Sequence, residues 1–234
     1  MTALSIENLT FSYGRRAPRV LDIAHFELAN GETVFLKGAS GSGKSTLLGL
    51  ISGVLANKNG KISVLNQPIS TLSASKRDAF RADRMGVIFQ MFNLLPYLPV
   101  SANVTLPCEF SKVRAQKAAD HGGAAEEGRR LLTRLGLDPD QVWSKRTSEL
   151  SVGQQQRVAA ARALIGQPGL ILADEPTSAL DSNTRNTFIE LLMEECRAND
   201  TALVFVSHDG SLAHHFDRAV DLSAINQAAS EVTI

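Results

Sequence analysis

A glycine-rich loop between an apolar run and a helical run constrains the fold of this chain more than any other segment. Residues 38–45 read Gly-Ala-Ser-Gly-Ser-Gly-Lys-Ser and match the phosphate-loop pattern G-x-x-x-x-G-K-[ST]. The preceding run, Thr33 to Leu36, is suited to a buried strand, and the following run, Ser45 to Ile51, to a helix. This order predicts an α/β fold with a P-loop NTPase core and a nucleoside triphosphate as ligand.

The parts of this loop have separate expected roles. Glycines let the backbone N–H groups point at phosphate oxygens, and the start of the helix adds its positive end. Lys44 is expected to reach the β- and γ-phosphates, and Ser45 to ligate Mg²⁺. The residues predicted to bind nucleotide here are Gly38, Ala39, Ser40, Gly41, Ser42, Gly43, Lys44, Ser45 and Thr46.

A second apolar run, residues 170–173, ends in two acids, Asp174 and Glu175. A central parallel strand is expected to deliver carboxylates at its C-terminal end in this way. Asp174 is predicted to hold Mg²⁺ through its water shell, and Glu175 to polarise a water for attack on the γ-phosphate. Taken alone, such a pair is more often a solvated loop or a helix start, but the phosphate loop upstream favours the catalytic interpretation.

The segment 149–158 carries a resemblance to a known family. Leu150, Ser151, Gly153 and Gln154 match the L-S-G-G-Q signature of ABC ATPases, in which Ser151, Gly153 and Gln154 are expected to contact nucleotide. The resemblance implies a homodimer around two ATP molecules, each clasped by the phosphate loop of one chain and the signature of the other. A monomer is then expected to be nearly inactive.

Val152 stands where that signature has its first glycine. A β-branched residue disfavours positive φ, so its effect depends on whether the backbone is left-handed there, which the sequence leaves open. If φ is negative, only bulk is added, and we expect a working site whose hydrolysis is at most slowed.

Further ABC marks follow in the order of the family. Tyr13 resembles the aromatic residue that stacks on adenine, Gln90 the glutamine that senses Mg²⁺ and water, and His208 the switch histidine. Residues 178–181 resemble the loop that contacts the partner subunit. By alternation alone, Tyr13 is equally one member of a strand's core face, and His208 alone would be a capping or surface residue. The predicted catalytic residues are Glu175, His208 and Gln90, and the predicted metal ligands are Ser45, Gln90 and Asp174.

The resemblance organises the chain as one ABC ATPase domain with a central parallel sheet, an N-terminal antiparallel β subdomain and an inserted α-helical subdomain. The expected regions are 1–30 for part of the antiparallel subdomain, 31–90 and 166–234 for the core, and 91–165 for the helical subdomain with the signature. The parallel sheet is expected to use the runs near Val34, Val87, Ile171 and Val204. Residues 112–135 predict helix, interrupted at 122–123.

The segment after Gln90 indicates a branch of the family. Residues 89–96 and 103–107 resemble the bacterial branch of lipoprotein-releasing, macrolide-export and cell-division ATPases. That resemblance implies a membrane permease with few membrane helices as partner, docking between Gln90 and Pro107. The ATPase is then expected to be cytoplasmic and peripheral on the inner face of a bacterial membrane.

Four apolar residues in this segment have two interpretations. Met91, Phe92 and Leu95, if exposed, would suit an apolar docking groove, and the alternative is that they pack within the helical subdomain. For Leu94 and Leu95, packing within the helical subdomain is an equally good interpretation.

Other function classes fit the sequence less well. A DNA-repair ATPase of this family carries a long heptad insertion, and a translation factor carries two ATPase units, whereas each motif occurs once here and no heptad insertion is present. A cell-division complex that relays motion across the membrane, or a small-solute importer, stays open as an alternative.

Composition agrees with these expectations. The formal net charge is 0, which argues against nucleic acid as a partner. No apolar run approaches the ~20 residues that span a bilayer, and the N-terminus does not resemble a signal peptide. The two cysteines form no metal or disulfide pattern, so a reducing cytosolic setting is expected.

Overall fold

The computed structural model, which describes residues 1–14, 16–57, 59–178 and 180–228, contains two sheets and flanking helices. The strands are β1 Thr2–Phe11, β2 Leu21–Ala29, β3 Thr33–Lys37, β4 Lys61–Val64, β5 Gln67–Pro68, β6 Met85–Ile88, β7 Leu170–Asp174, β8 Ala202–Ser207 and β9 Arg218–Asp221. The helices are α1 Lys44–Ile51, α2 Ala74–Arg84, α3 Val100–Phe110, α4 Lys112–Ala119, α5 Ala124–Arg134, α6 Pro139–Val142, α7 Val152–Leu164, α8 Ser182–Ala198 and α9 Leu222–Ile225. Short 3₁₀ helices occupy Ile69–Thr71, Thr147–Glu149 and Gly210–His215.

The central sheet is parallel, in the order β6-β7-β8-β3-β9. The four strands expected from apolar runs are confirmed, and β9 is an addition that the sequence did not indicate. Because the carboxyl ends of parallel strands lie at one edge, the residues that follow β3, β6, β7 and β8 gather there. This edge carries the phosphate loop, Gln90, Glu175 and His208.

The parallel sheet is buried on both faces along β3, β6, β7 and β8, with period-two alternation, whereas the edge strand β9 is largely exposed. Phe35 and Phe205 pack in the cluster that includes the helices α3, α5 and α7, whereas Val34, Leu36 and Val204 pack on the opposite face with α1 and β1. Strands buried on both faces read as continuous apolar runs, which is why the sequence revealed them.

The second sheet is antiparallel, in the order β2-β1-β4-β5. The expected hairpin of residues 1–30 is its β1 and β2, with Leu4 and Ile6 of β1 on the buried face. The segment 61–68, which the interpretation above grouped with the core, joins this sheet as β4 and β5.

Helices fill the chain between β6 and β7. The predicted interruption at residues 122–123 is confirmed, since Gly122 and Gly123 adopt φ of 89° and 104° between α4 and α5. Helix α5 buries Leu131 and Leu132, so its apolar stripe faces the core as its spacing predicted. Within the described ranges, no helix has the length and apolarity needed to cross a membrane.

Candidate functional site

A cavity of about 740 Å³ lies at the carboxyl edge of the parallel sheet, above the N-terminus of α1. Most of the residues that the sequence singled out meet here. Its lining consists of Tyr13, Val20, Ser40, Gly41, Gly43, Lys44, Ser45, Thr46, Gln90, Asp174, Glu175 and His208. Of these, Val20 was not predicted, because an aliphatic residue in the loop before β2 gives no chemical signal in the sequence.

The phosphate loop wraps around the start of α1. Gly41 and Gly43 adopt φ of 78° and 100°, a region that side chains rarely tolerate. A methyl group at Gly43 would also lie 2.8 Å from Leu21 Cδ2, so this position requires glycine twice over. Helix α1 thus begins directly at the cavity, with its N-terminal N–H groups available for an anion.

Lys44 is the cation of this cavity. Its side chain is nearly buried, and its Nζ donates hydrogen bonds to the carbonyl oxygens of Gly38 at 2.8 Å and Ala39 at 2.9 Å. Gly38 and Ala39 therefore face the lysine rather than the cavity, and the predicted residue Ser42 is likewise not among the lining residues. These two hydrogen bonds hold Lys44 Nζ next to the phosphate loop, where it could donate to a bound phosphate group.

Ser45 and Asp174 lie next to each other in the lining of the cavity. The Ser45 hydroxyl is hydrogen-bonded to the Asp174 carboxylate, which joins the start of α1 to the end of β7. Burial raises the pKa of Asp174, and the hydrogen bond from Ser45 opposes that shift. A hydroxyl oxygen beside a carboxylate oxygen is a donor set that suits a hard cation such as Mg²⁺.

Glu175 and His208, which line the same cavity, are in direct contact. His208 Nδ1 lies 2.9 Å from Glu175 Oε2, a hydrogen bond in which the ring donates to the ionised carboxylate. Glu175 adopts φ of 47°, which is uncommon for a residue with a side chain, and its N–H donates to Val206 O at 2.9 Å. Strain of this kind persists where the surroundings fix the residue, and it concentrates at functional sites.

Gln90 and Tyr13 complete the lining. Gln90 follows β6 with an exposed side chain, and Tyr13 lies two residues beyond the end of β1. Tyr13 is 66% exposed, and its hydroxyl is 2.9 Å from the Thr46 hydroxyl, so the interpretation as a member of a strand's core face is wrong. Phe11 meets the Tyr13 ring edge-on, with ring centroids 5.1 Å apart, which leaves a face of the tyrosine accessible.

The signature segment lies apart from this cavity, since Ser151, Gly153 and Gln154 are not among its lining residues. Helix α7 begins at Val152, within the signature segment. Ser151 is its N-cap: the Ser151 hydroxyl accepts from Gln154 N–H, and the Gln154 side chain accepts from Ser151 N–H. Gln154 therefore closes a capping box.

The conformation of Val152 answers the question that the sequence left open. As the first residue of α7 it has helical backbone, and it does not belong to the residues with positive φ. Its side chain is 47% exposed. A β-branched residue is accommodated without left-handed strain, and only its bulk is added to this surface.

The loop after Glu175 lies between the signature segment and the contact of Glu175 with His208. Within residues 178–181, Ala179 lies outside the described residues, and Asp181 caps α8 by accepting from Thr184 N–H at 3.1 Å. Two residues that the sequence did not suggest, Arg185 and Asp209, pair beside this loop. Nothing local in the sequence indicates this contact, because it joins positions 24 residues apart.

Comparison with known proteins decides the family. The ABC transporter family model matches residues 21–178, which is more than half of the chain. This chain belongs to the ABC transporter family. It is an ABC ATPase, and its family binds ATP.

Relatives of this ABC ATPase cover nearly its whole length. An uncharacterised ABC transporter ATP-binding protein of Mycobacterium tuberculosis is 40% identical over 220 residues, 94% of this chain and 85% of that protein. The lipoprotein-releasing system ATP-binding protein LolD of Xanthomonas axonopodis pv. citri is 39% identical over 213 residues, 91% of this chain and 84% of that protein. Among solved structures, the dimeric ATP-binding cassette MJ0796 with ADP and Pi superposes with a TM-score of 0.81 at 32% identity, covering 93% of both chains.

The segment after Gln90 in this ABC ATPase differs from expectation at one residue. Met91 is 81% exposed, as the docking interpretation requires, but Phe92 is only 8% exposed, so that interpretation is wrong for Phe92. Phe92 adopts φ of 59°, which turns the chain, and its carbonyl accepts from Arg162 Nη2 at 2.6 Å. Leu94 and Leu95 are both partly buried, and Leu94 packs against the helical core.

A groove of about 380 Å³ lies beside this segment, between α2, β6 and α3. Val54, Phe89 and Phe110 line it with exposed apolar side chains, and Arg81 and Arg162 line it with cations. Exposed aromatic surface of this kind is typical of a protein docking site.

Proposed function

We propose that this chain is the ATP-hydrolysing subunit of a membrane complex of the export or lipoprotein-release type, and that it acts as a homodimer around two ATP molecules. The observation that carries the proposal is one cavity lined both by a cation suited to phosphate and by a carboxylate-imidazole contact. Lys44 supplies the first, and Glu175 with His208 the second.

In the proposed reaction, Glu175 accepts a proton from the attacking water. Its carboxylate is oriented by His208 Nδ1 at 2.9 Å, and its backbone is fixed by the hydrogen bond to Val206. Gln90, which lines the same cavity, positions the water, and Lys44 with the N–H groups of α1 stabilises charge on the phosphates. Tyr13 would stack on the adenine with its accessible face.

The donor set of this chain fits a bound Mg²⁺. Ser45 and Asp174 would hold it, with Gln90 contributing an amide oxygen from the same cavity. When bound, the ion supplies positive charge that neutralises the β- and γ-phosphate oxygens.

The homodimer is proposed because the chain carries a second nucleotide-binding surface that does not reach its own cavity. Ser151 and Gly153 lie at the exposed N-terminus of α7, a position suited to a phosphate group brought by another molecule. The solved structure of the related cassette MJ0796 is a dimer, which supports the same arrangement here.

The proposed membrane partner docks on the groove beside Gln90. Its exposed apolar residues, Val54, Phe89 and Phe110, would receive an apolar segment of a permease. Phe89 and Phe110 flank the expected region from Gln90 to Pro107, of which Asn93, Leu106 and Pro107 also line the groove. Lipoprotein release is the favoured role because relatives named for that system align over nearly the whole chain. The subunit would then be peripheral on the cytoplasmic face of the membrane.

The test uses the Glu175→Gln variant, tagged and mixed with ATP and detergent-solubilised membranes from the source cell. We expect an ATP-dependent dimer that co-purifies with a permease of few membrane helices and a large external domain. Lys44→Ala is the control, since it should neither dimerise nor recover the permease.

Other outcomes would revise or overturn the proposal. Recovery of a membrane complex that regulates an external enzyme would replace transport with transmission of motion. Recovery of an importer permease would contradict the export assignment, and an intact dimer that captures no membrane protein would contradict the membrane role.

A further inference from the structure

A continuous path of contacts joins the signature surface to the catalytic pair of the same chain. It runs from Gly153 through Leu180 and Arg185 to Asp209, the residue that follows His208. The two ends of this path belong to different nucleotide sites in the proposed dimer. Its central residue, Arg185, has no role in the function derived above.

Arg185 holds two separate segments with one guanidinium group. Its Nη2 donates to the carbonyl oxygen of Leu180 at 3.0 Å, and its Nη1 forms an ion pair with Asp209 Oδ2. The side chain is mostly buried, so solvent screens this pair less than an exposed one. The planar fork of arginine places two donor nitrogens, Nη1 and Nη2, at separate points, and the single Nζ of a lysine does not reproduce that geometry.

Asp209 is itself held in place on its other side. Its Oδ1 accepts from Ser211 N–H at 3.1 Å and from the Ser211 hydroxyl at 2.6 Å, and its own N–H donates to Ser207 Oγ at 3.1 Å. These contacts fix the backbone on either side of His208. A displacement of Asp209 would therefore also displace the imidazole of His208.

A small cavity of about 270 Å³ brings these groups together. Arg185 and Asp209 line it together with Glu175 and His208. The guanidinium thus lies beside the catalytic contact, although it does not line the larger cavity in which nucleotide is proposed to bind.

Leu180 forms the other end of the path. A methyl group placed on Gly153 would lie 3.6 Å from Leu180 Cδ2, so the leucine side chain packs against the signature glycine. The leucine N–H donates to Thr177 O at 3.2 Å, which ties it back toward Glu175. A displacement of Gly153 against a partner's phosphate would therefore move Leu180 and the carbonyl that Arg185 holds.

We propose that Arg185 is a positioning residue that couples the signature surface one chain presents to its partner with the His208 and Glu175 pair of the same chain. This inference rests on the proposed homodimer. Engagement of the signature by the partner's nucleotide would reach the catalytic pair through Leu180, Arg185 and Asp209. Hydrolysis at the two sites is then linked through a direct contact rather than by dimer closure alone.

The first test is Arg185→Met, which keeps an unbranched aliphatic side chain and removes the charge and both contacts. We expect kcat to fall about tenfold while the dissociation constant for ATP is unchanged, because Arg185 does not line the nucleotide cavity. Arg197→Met is the matched control, since it removes an exposed arginine from the last turn of the same helix. Thermal unfolding of both variants separates misfolding from lost positioning.

The second test is a double-mutant cycle with Asp209→Asn, which keeps an oxygen able to cap Ser211 but removes the ion pair. We expect Asp209→Asn and Arg185→Met to lower kcat by similar factors, and the double variant to be no slower than either. Arg185→Lys should rescue only part of the rate, because the single Nζ of a lysine cannot occupy the positions of both Nη1 and Nη2.

A kcat of Arg185→Met within about twofold of the Arg197→Met value would overturn the inference, as would additive effects in the cycle. If Arg185→Met fails to fold, Asp209→Asn and Arg185→Lys decide, and parental rates in both would overturn it. The proposed function fails separately: a parental chain that remains monomeric with ATP, or Glu175→Gln hydrolysing at the parental rate, would contradict it whatever Arg185 does.

Discussion

The N-termini of α1 and α7 offer the same anion-binding chemistry in opposite settings. At α1, Lys44 is nearly buried, and it lines the same cavity as the carboxylate of Glu175 and the imidazole of His208. At α7, Ser151 and Val152 are exposed, and neither the cavity's lysine nor its acids lie beside them. Because the proposed catalytic groups do not lie beside the N-terminus of α7, we expect it to bind the phosphate of a nucleotide that another molecule holds. In the proposed homodimer, each chain would contribute one half-site at α1 and, at α7, the complement to its partner's half-site.

We expect the largest effect on turnover from replacing Glu175, the proposed general base. Glu175→Gln keeps the shape of the side chain but cannot accept the proton, so turnover should fall by about 10²- to 10³-fold with ATP binding retained. Steady-state hydrolysis and equilibrium binding measure the two quantities. Glu190→Gln, an exposed change on α8, is the control and should leave both unchanged. A parental rate in Glu175→Gln would mean that another group is the base.

We expect the second largest effect on turnover from a negative charge at the signature surface, introduced without destabilising the fold. Aspartate is as good an N-cap as serine, so Ser151→Asp should leave the melting temperature unchanged while repelling a partner's phosphate. We expect turnover to fall at least about tenfold and ATP binding to the monomer to stay the same. Ser73→Asp makes the same substitution at the N-cap of α2 and should be silent. Equal losses in both variants would show a generic effect of charge.

A smaller effect is expected at the base-binding end of the cavity. Tyr13→Ala should weaken ATP binding by about tenfold, because stacking on an aromatic ring contributes roughly 1–3 kcal/mol per base. Tyr13→Phe keeps the ring and loses only the hydrogen bond to Thr46, so its affinity should lie close to that of the parent. Titration with ATP measures both. If Tyr13→Phe loses as much as Tyr13→Ala, the hydroxyl rather than the ring is responsible.

The smallest effect should come from restoring the glycine of the signature. Since Val152 has helical backbone and a half-exposed side chain, Val152→Gly relieves no left-handed strain. We expect turnover within about twofold of the parent and a loss of unfolding free energy of up to about 1 kcal/mol from the added flexibility. A several-fold gain in turnover would show that the valine obstructs the partner's nucleotide.

The sequence predicted the parts of this molecule that contiguous motifs encode. The strands around Val34, Ile171 and Val204 follow from apolar runs, and the phosphate loop follows from glycine spacing. Most of the lining of the cavity could therefore be named before the structure. The roles assigned to those residues stay predictions.

The sequence failed where conformation depends on distant partners. The docking interpretation required an exposed Phe92, but a left-handed backbone and the hydrogen bond from Arg162 turn it inward. The positive φ of Glu175 and the contact between Arg185 and Asp209 are likewise set by tertiary neighbours. Apolar or charged residue type alone carries no information about such directions.

Mixing two inactive variants tests most directly whether the two helix ends serve different chains. Lys44→Ala removes the cavity's cation but keeps the signature, and Ser151→Asp blocks the signature but keeps the cavity. Ser151→Asp alone should keep at most about a tenth of the parental rate and Lys44→Ala less, whereas their mixture forms dimers with one intact site and should be several-fold more active than either variant alone. A mixture no more active than its components, or a Ser151→Asp chain that hydrolyses ATP as fast as the parent, would contradict the account.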